Sequence, residues 1–142
     1  LKVRVSIEGQ RQIVRKLNVL ADEVAKLHLE AATLEGAEVI RKAIEDKAPK
    51  GESGFLKSHI LKEVDPENTR RNKVTVSIGP HKEAFYALFV EFGHALVRGS
   101  RKATRKVIGS VPPHPFMRPA FDESKRRVRQ TILLALKRRL GL

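Results

Sequence analysis

The sequence predicts a domain of mixed helix and strand, with long helices toward both ends and short strands between them. Three observations carry that reading. Apolar residues recur at steps of three and four from Ile13 through Leu17, Leu20, Val24, Leu27 and Ala31 to Leu34, the spacing of one helical face. The same spacing returns at Val128, Ile132, Ala135, Leu136 and Leu140. Between them, Val74, Val76 and Ile78 alternate with Thr75 and Ser77, the period of a half-buried strand.

Taken in order, residues 2–7 predict a short strand with Val3, Val5 and Ile7 on one face, ended by Glu8-Gly9. The helical stripe then runs from about 10 to 47, through Val39, Ile40, Ala43 and Ile44, and stops before Pro49, which disfavours helix at Ala48. One straight helix of that length would reach roughly 57 Å at 1.5 Å per residue, so a break is expected near Ala21-Asp22 or at Gly36. Pro49 to Gly54 is a turn cluster. Strands are predicted over Phe55–Val64 and Lys73–Gly79, joined by the polar loop 65–72. Ala84–Phe92 predicts a short helix stopped at Gly93, in which Phe85, Phe89 and Phe92 are expected to be principal core residues, each burying about 150–250 Å² at about 25 cal/mol per Å². A flexible basic loop is expected over about 94–115. In the C-terminal helix Pro119 is expected at the first helical position, with Asp122 and Glu123 in the first turn and Lys137, Arg138 and Arg139 in the last. Phe116 and Met117 are expected to staple its start.

The 142 residues suffice for one domain, 1–142, with a core of its own. There is no cysteine, which excludes a disulfide framework, a zinc-thiolate site and a cysteine nucleophile. The longest apolar runs are a handful of residues, so no membrane span is expected, and a soluble domain is the expectation. The chain opens on Leu1 rather than Met, and a few initial residues are expected to be missing.

Charge is unevenly placed. Residues 1–50 carry ten cations and eight anions, residues 51–91 six of each, and residues 92–142 thirteen cations against Asp122 and Glu123. No acidic side chain lies between Glu91 and Asp122. A field confined to one end of a chain is aimed at an anionic partner, either nucleic acid or an acidic protein face.

Catalytic patterns are absent. The histidines (His28, His59, His81, His94, His114) make no i,i+4 pair, and no Gly-x-Ser-x-Gly, P-loop or dinucleotide-binding glycine fingerprint occurs. A metal-dependent nuclease on Glu91, His94 and His114 is a weak alternative, because the basic third lacks clustered carboxylates for a divalent ion. No helix-turn-helix or zinc finger is visible, and the aromatic residues do not interleave with Arg98, Arg101, Lys102, Arg105 and Lys106, as a base-stacking platform would require. No catalytic residue, cofactor or metal is therefore expected, whereas phosphate contact without base readout stays open.

Three segments stand out in order: Ala48-Pro49-x-x-x-Ser53-Gly54-Phe55-Leu56-Lys57-Ser58-His59-Ile60, Tyr86-Ala87-Leu88-Phe89-Val90-Glu91-Phe92-Gly93, and His114-Pro115-Phe116-Met117-Arg118-Pro119-Ala120. Together, over roughly residues 5–140, the chain resembles the tail-completion (neck, head–tail connector) proteins of long-tailed double-stranded DNA phages, a class that includes the minor tail protein Z group. It departs from them at His94, where Thr is more usual, and in the strongly basic stretch 98–106. The resemblance implies an α+β fold, with a small antiparallel barrel-like sheet flanked by a long N-terminal and a C-terminal helix. It also implies a virion protein, made in the host cytoplasm and placed at the head–tail junction, that joins neighbouring copies in a ring, usually sixfold, around the passing DNA. On that reading the 94–110 loop contacts DNA or an acidic neighbouring ring through Arg98, Arg101, Lys102, Arg105 and Lys106, and the isolated subunit is expected to be monomeric with this loop disordered. Pro49, Gly54, Tyr86, Phe92, Gly93, Phe116 and Pro119 serve the fold, and Glu91 and Arg118 are expected to pair as ions at the base of the loop. The rival is a free-standing basic nucleic-acid-binding protein without sequence readout.

Overall fold

The structure, a computed structural model, describes residues 3–5, 11–51, 53–70, 73–99 and 102–142. Strand β1 (Val3–Val5) is followed by helices α1 (Arg11–Val19) and α2 (Asp22–Lys47). A single helical turn, α3 (Phe55–Ser58), leads into β2 (Ile60–Val64) and β3 (Val76–Pro80). Then come a 3₁₀ turn (Lys82–Ala84), α4 (Ala87–Phe92), β4 (His94–Arg98), a second 3₁₀ turn (Lys102–Thr104), β5 (Lys106–Val111) and α5 (Met117–Leu140). This is the α+β class expected, with the long helices where the periodicity puts them.

The break in the N-terminal stripe falls at Ala21, whose ψ of 142° is extended. Asp22 and Glu23 open α2, where carboxylates oppose the positive helix end. At the far end Pro49 holds Ala48 extended (φ −61°, ψ 137°), while the Ala48 N–H still donates to the Ile44 carbonyl at 2.8 Å. Gly36, the other expected break, lies inside an unbroken α2 for a packing reason. A Cβ there would stand 2.3 Å from Ile132 Cγ1 and 2.5 Å from Ile132 Cδ1. Glycine lets α2 and α5 approach closely, and Ile132 fills the space a side chain would take.

That helix pair is the spine of the core. Ala25, Leu29, Ala32, Ile40 and Ile44 of α2 are buried with Val128, Ile132, Ala135 and Leu136 of α5. The antiparallel sheet, ordered β1–β3–β2, packs against α2 through Ile60, Val76 and Ile78. Its registers pair Val3 with Ile78 and Glu63 with Ser77. Ile7 and the rest of 6–10 lie outside the described residues.

Ion pairs clasp the layers. Glu38 accepts from Arg41 Nε at 2.9 Å and Nη2 at 2.7 Å, and Lys62 of β2 reaches it at 2.8 Å. Arg41 also pairs with Glu45. Arg138 and Arg139 of α5 grip Glu35 of α2 at 2.7–2.9 Å, and Lys47 meets Glu123 at 2.9 Å. The Arg41 hydrogen bond, with that of Lys62, outweighs desolvation and holds the Glu38 carboxyl at about 2, against 4.5 ordinarily. Hydrogen bonds from Arg139 and Arg138 lower Glu35 similarly.

Four expectations need correction. Phe55–Val64 is not one strand: Phe55–Ser58 forms a helical turn in which His59 stacks on Phe55 at 3.7 Å, and the strand starts at Ile60. Residues 94–115 are not a loop throughout, because β4 and β5 pair as a two-stranded antiparallel ribbon. Pro119 is the third residue of α5, which starts at Met117, so Asp122 and Glu123 fall beyond the first turn. Phe85, Phe89 and Phe92 are exposed rather than core, Phe85 by 64%.

Two outcomes follow. Gly36→Ala should lower stability to denaturant by about 1–2 kcal/mol through overpacking against the β-branched Ile132, although alanine is the better helix former by about 1 kcal/mol. Because the folded-state pKa of Glu38 is depressed, its contribution is complete above its unfolded value and is lost as pH falls toward about 2. Urea unfolding between about pH 5 and pH 2.5 should therefore show a shallower acid loss for Glu38→Gln than for the parent.

Candidate functional site

The candidate site is the projecting β4–β5 ribbon together with α4, from which it springs. Gly93 makes the turn between them. Its φ of 70° is left-handed, and a Cβ there would meet the Val111 carbonyl oxygen at 2.6 Å and Pro113 N at 2.8 Å, so only glycine fits. At the other foot of the ribbon, the His114 N–H donates to the Val90 carbonyl at 2.7 Å.

Glu91 fixes the whole base. It is 4% exposed, and its Oε2 accepts from the N–H groups of Phe116 (2.7 Å) and Met117 (3.0 Å), its Oε1 from that of Arg118 (3.2 Å). These donors open α5 and have no partner within the helix. A carboxylate suits the positive helix end in charge as well as in hydrogen bonding. The residue before α5 is Phe116, which cannot cap with its side chain, so the cap comes from Glu91, 25 residues earlier in the chain. The expected Glu91–Arg118 ion pair is thus corrected: Glu91 engages the Arg118 backbone, and no ion pair joins the two side chains among the described residues.

The other sequence-selected residues divide between scaffold and surface. Phe116 and Met117 are each 1% exposed, the buried staple expected of them. Pro49 ends α2, Gly54 precedes α3, and Pro119 is half-buried in α5. Tyr86 is half-buried against the core, its carbonyl accepting from the N–H groups of Phe89 and Val90. Phe92 faces solvent. Arg98, Lys102, Arg105 and Lys106 are all exposed and gather at the distal end of the ribbon, whereas Arg101 lies outside the described residues. None of these four meets a carboxylate among the described residues, unlike Lys125, Arg138 and Arg139 of α5, which pair with Asp122 and Glu35.

Every described side chain of β4 and β5 is exposed. Cross-strand register places His94, Leu96, Val111 and Gly109 on one face and Ala95, Val97, Val107 and Ser110 on the other, with Ile108 at the irregularity between. The first face leans toward α4, where the His94 ring lies 5.2 Å from that of Phe89, itself edge-on to Phe85. The second face carries Val107, 71% exposed. Exposed Phe85, Phe89 and Phe92 thus lie beside the exposed apolar residues of the ribbon. Chemically the arrangement offers adhesion and positive charge. Among the described residues no group of three or more His, Asp or Glu side chains stands ready to hold a metal, and no helix is long and apolar enough to cross a membrane.

Comparison with known proteins gives one family. The model of the HK97-gp10-like family, described as "Bacteriophage HK97-gp10, putative tail-component", matches residues 11–93, from the start of α1 to the Gly93 turn. Neither the curated proteins nor the solved structures give a match. The family match spans more than half of the chain.

Removing the Glu91 carboxylate tests its capping role. Glu91→Ala should cost about 2–3 kcal/mol by stranding buried N–H donors, while Arg118→Ala should stay within about 0.5 kcal/mol of the parent. Denaturant titration measures both, and equal small effects would return Glu91 to an ordinary surface role.

Proposed function

We propose that this chain, which belongs to the HK97-gp10-like family and is a phage tail component of the virion, is the tail-completion subunit of the neck. In that role copies associate head to tail into a closed ring, sixfold by the resemblance of its motifs, between capsid and tail, with the genome passing through. No bond is broken. The work is shape and charge, and a heterologous contact repeated around a closed rotation supplies the ring.

The observation that supports this reading is the ribbon itself. It contributes no side chain to the core, yet it is anchored at both feet and carries at its far end cations that meet no carboxylate among the described residues. A chain with no partner would gain nothing by holding Val97, Val107 and Ile108 in water; a subunit that covers them on assembly gains about 25 cal/mol per Å² of apolar area. Charge at the tip then steers the encounter and sets specificity more than it raises affinity. A free-standing nucleic-acid-binding role would use the same cations and would leave the exposed Phe85, Phe89 and Phe92 without purpose.

Replacing Arg98, Arg101, Lys102, Arg105 and Lys106 together by Ser should abolish head–tail joining in phage complementation and leave the thermal unfolding midpoint within a few degrees of the parent. Phage yield equal to the parent's would refute the docking role. Tight binding of duplex DNA by the isolated chain at physiological salt, with the steep salt dependence of phosphate contact, would favour the free-standing reading instead.

A further inference from the structure

The β1–β3–β2 sheet packs on α2 with one face, and among the described elements no second layer covers its outward face. Val76 and Ile78 of β3 point into the core, so Ser77 between them points outward, and Leu61 and Glu63 of β2 share that side with it. Two open depressions lie there, of about 350 Å³ and 310 Å³, and both are lined by Glu63 and Ser77. Ser77 and Gly79 are small, which hollows the middle of the face. Ser77 is also 8% exposed, and its Oγ has no hydrogen-bond partner among the described residues.

This face changes character along its length. Leu61, Gly79 and Pro80 give it an apolar stretch, bordered at one end by His81 and Lys82, and toward the loop it becomes acidic at Glu63 and then Glu67. The outward face of the ribbon changes in the matching order, from Ala95 near its base through the Val97–Val107 pair to Lys102 and Arg105 at its tip. β2 and β4 are each five residues long, roughly 17 Å at about 3.4 Å per residue. Apolar against apolar and cation against carboxylate can be met in one orientation only.

Resting on the ring reading above, we infer that the outward face of this sheet is the dock for the β4–β5 ribbon of a second copy, which lies across it with Val107 over the Ser77–Gly79 hollow and its basic tip at Glu63 and Glu67. The contact is sheet on sheet, with the usual spacing of about 10 Å. It is heterologous, because each copy offers a ribbon on one side and a sheet face on the other. Copies joined this way propagate in a single direction, as a ring requires.

The chain has no cysteine, so Leu61→Cys and Val107→Cys each introduce a single thiol at an exposed position. The two full-length variants, one isotopically labelled, are mixed, oxidised and read by intact mass. The expected result is a 61–107 mixed disulfide several-fold in excess over the 61–61 and 107–107 species, and a ladder of covalent multimers when both cysteines are in one chain. Thermal midpoints near the parent's confirm that both variants fold. A second pair guards the result: Glu63→Lys with Glu67→Lys should lose assembly, and Lys102→Glu with Arg105→Glu added in the same chain should restore it. A closed multi-copy particle in sedimentation with no excess of the mixed disulfide overturns this dock and leaves the ring reading standing. A chain that sediments as one copy at every concentration and when released from virions overturns both. Protection of the Val107→Cys thiol by duplex DNA, but not by a second copy, would assign the ribbon to nucleic acid and overturn the dock.

Discussion

A single buried carboxylate decides where the working parts of this protein stand. Glu91 sits at the end of α4 and receives the first N–H groups of α5. Everything between those two helices, the whole ribbon included, is a loop closed by that contact. The Val90–His114 hydrogen bond and the Gly93 turn tighten the same closure. Burying a carboxylate is costly unless donors surround it, and here the donors are the groups a helix leaves unsatisfied at its start. One interaction therefore settles two buried deficits, and the direction in which the ribbon leaves the core follows from it.

Below that junction, the α2–α5 pair and the three-stranded sheet form a self-sufficient body. Several of its carboxylates are answered internally: Glu35 by Arg138 and Arg139, Glu38 by Arg41 and Lys62, Glu123 by Lys47. Even the end of α5 is tied down, its Leu140 carbonyl accepting from Lys16 of α1 at 2.8 Å. The strong positive charge of the C-terminal third thus separates into two populations. Part of the charge on α5 is spent on the fold, whereas Arg98, Lys102, Arg105 and Lys106 at the ribbon tip meet no carboxylate among the described residues.

Much of this was legible in the sequence. The helices were, because long amphipathic stripes and Pro49 act locally, and so was β3, whose alternating Val76 and Ile78 fill the core. The ribbon was not, since period-2 reading looks for one wet and one dry face, and both faces of β4 and β5 are wet. Phe85, Phe89 and Phe92 misled for a related reason: hydrophobic residues fill interiors, but an apolar residue need not be interior. The role of Glu91 left no local trace either. Cap signals are sought within three residues of a helix start, and this cap arrives from another element. What the sequence did offer there was indirect: an acidic residue before Gly93, and then none for thirty positions.

The absence of ribbon side chains from the core has an evolutionary corollary. Substitutions on β4 and β5 remove no interior packing, so most cost the fold little, whereas changes at Gly36, Ile132 or Glu91 strike the interior directly. The ribbon surface can therefore drift by mutation while the body stays under tight constraint, and diverged descendants of this chain would keep the scaffold and vary the ribbon.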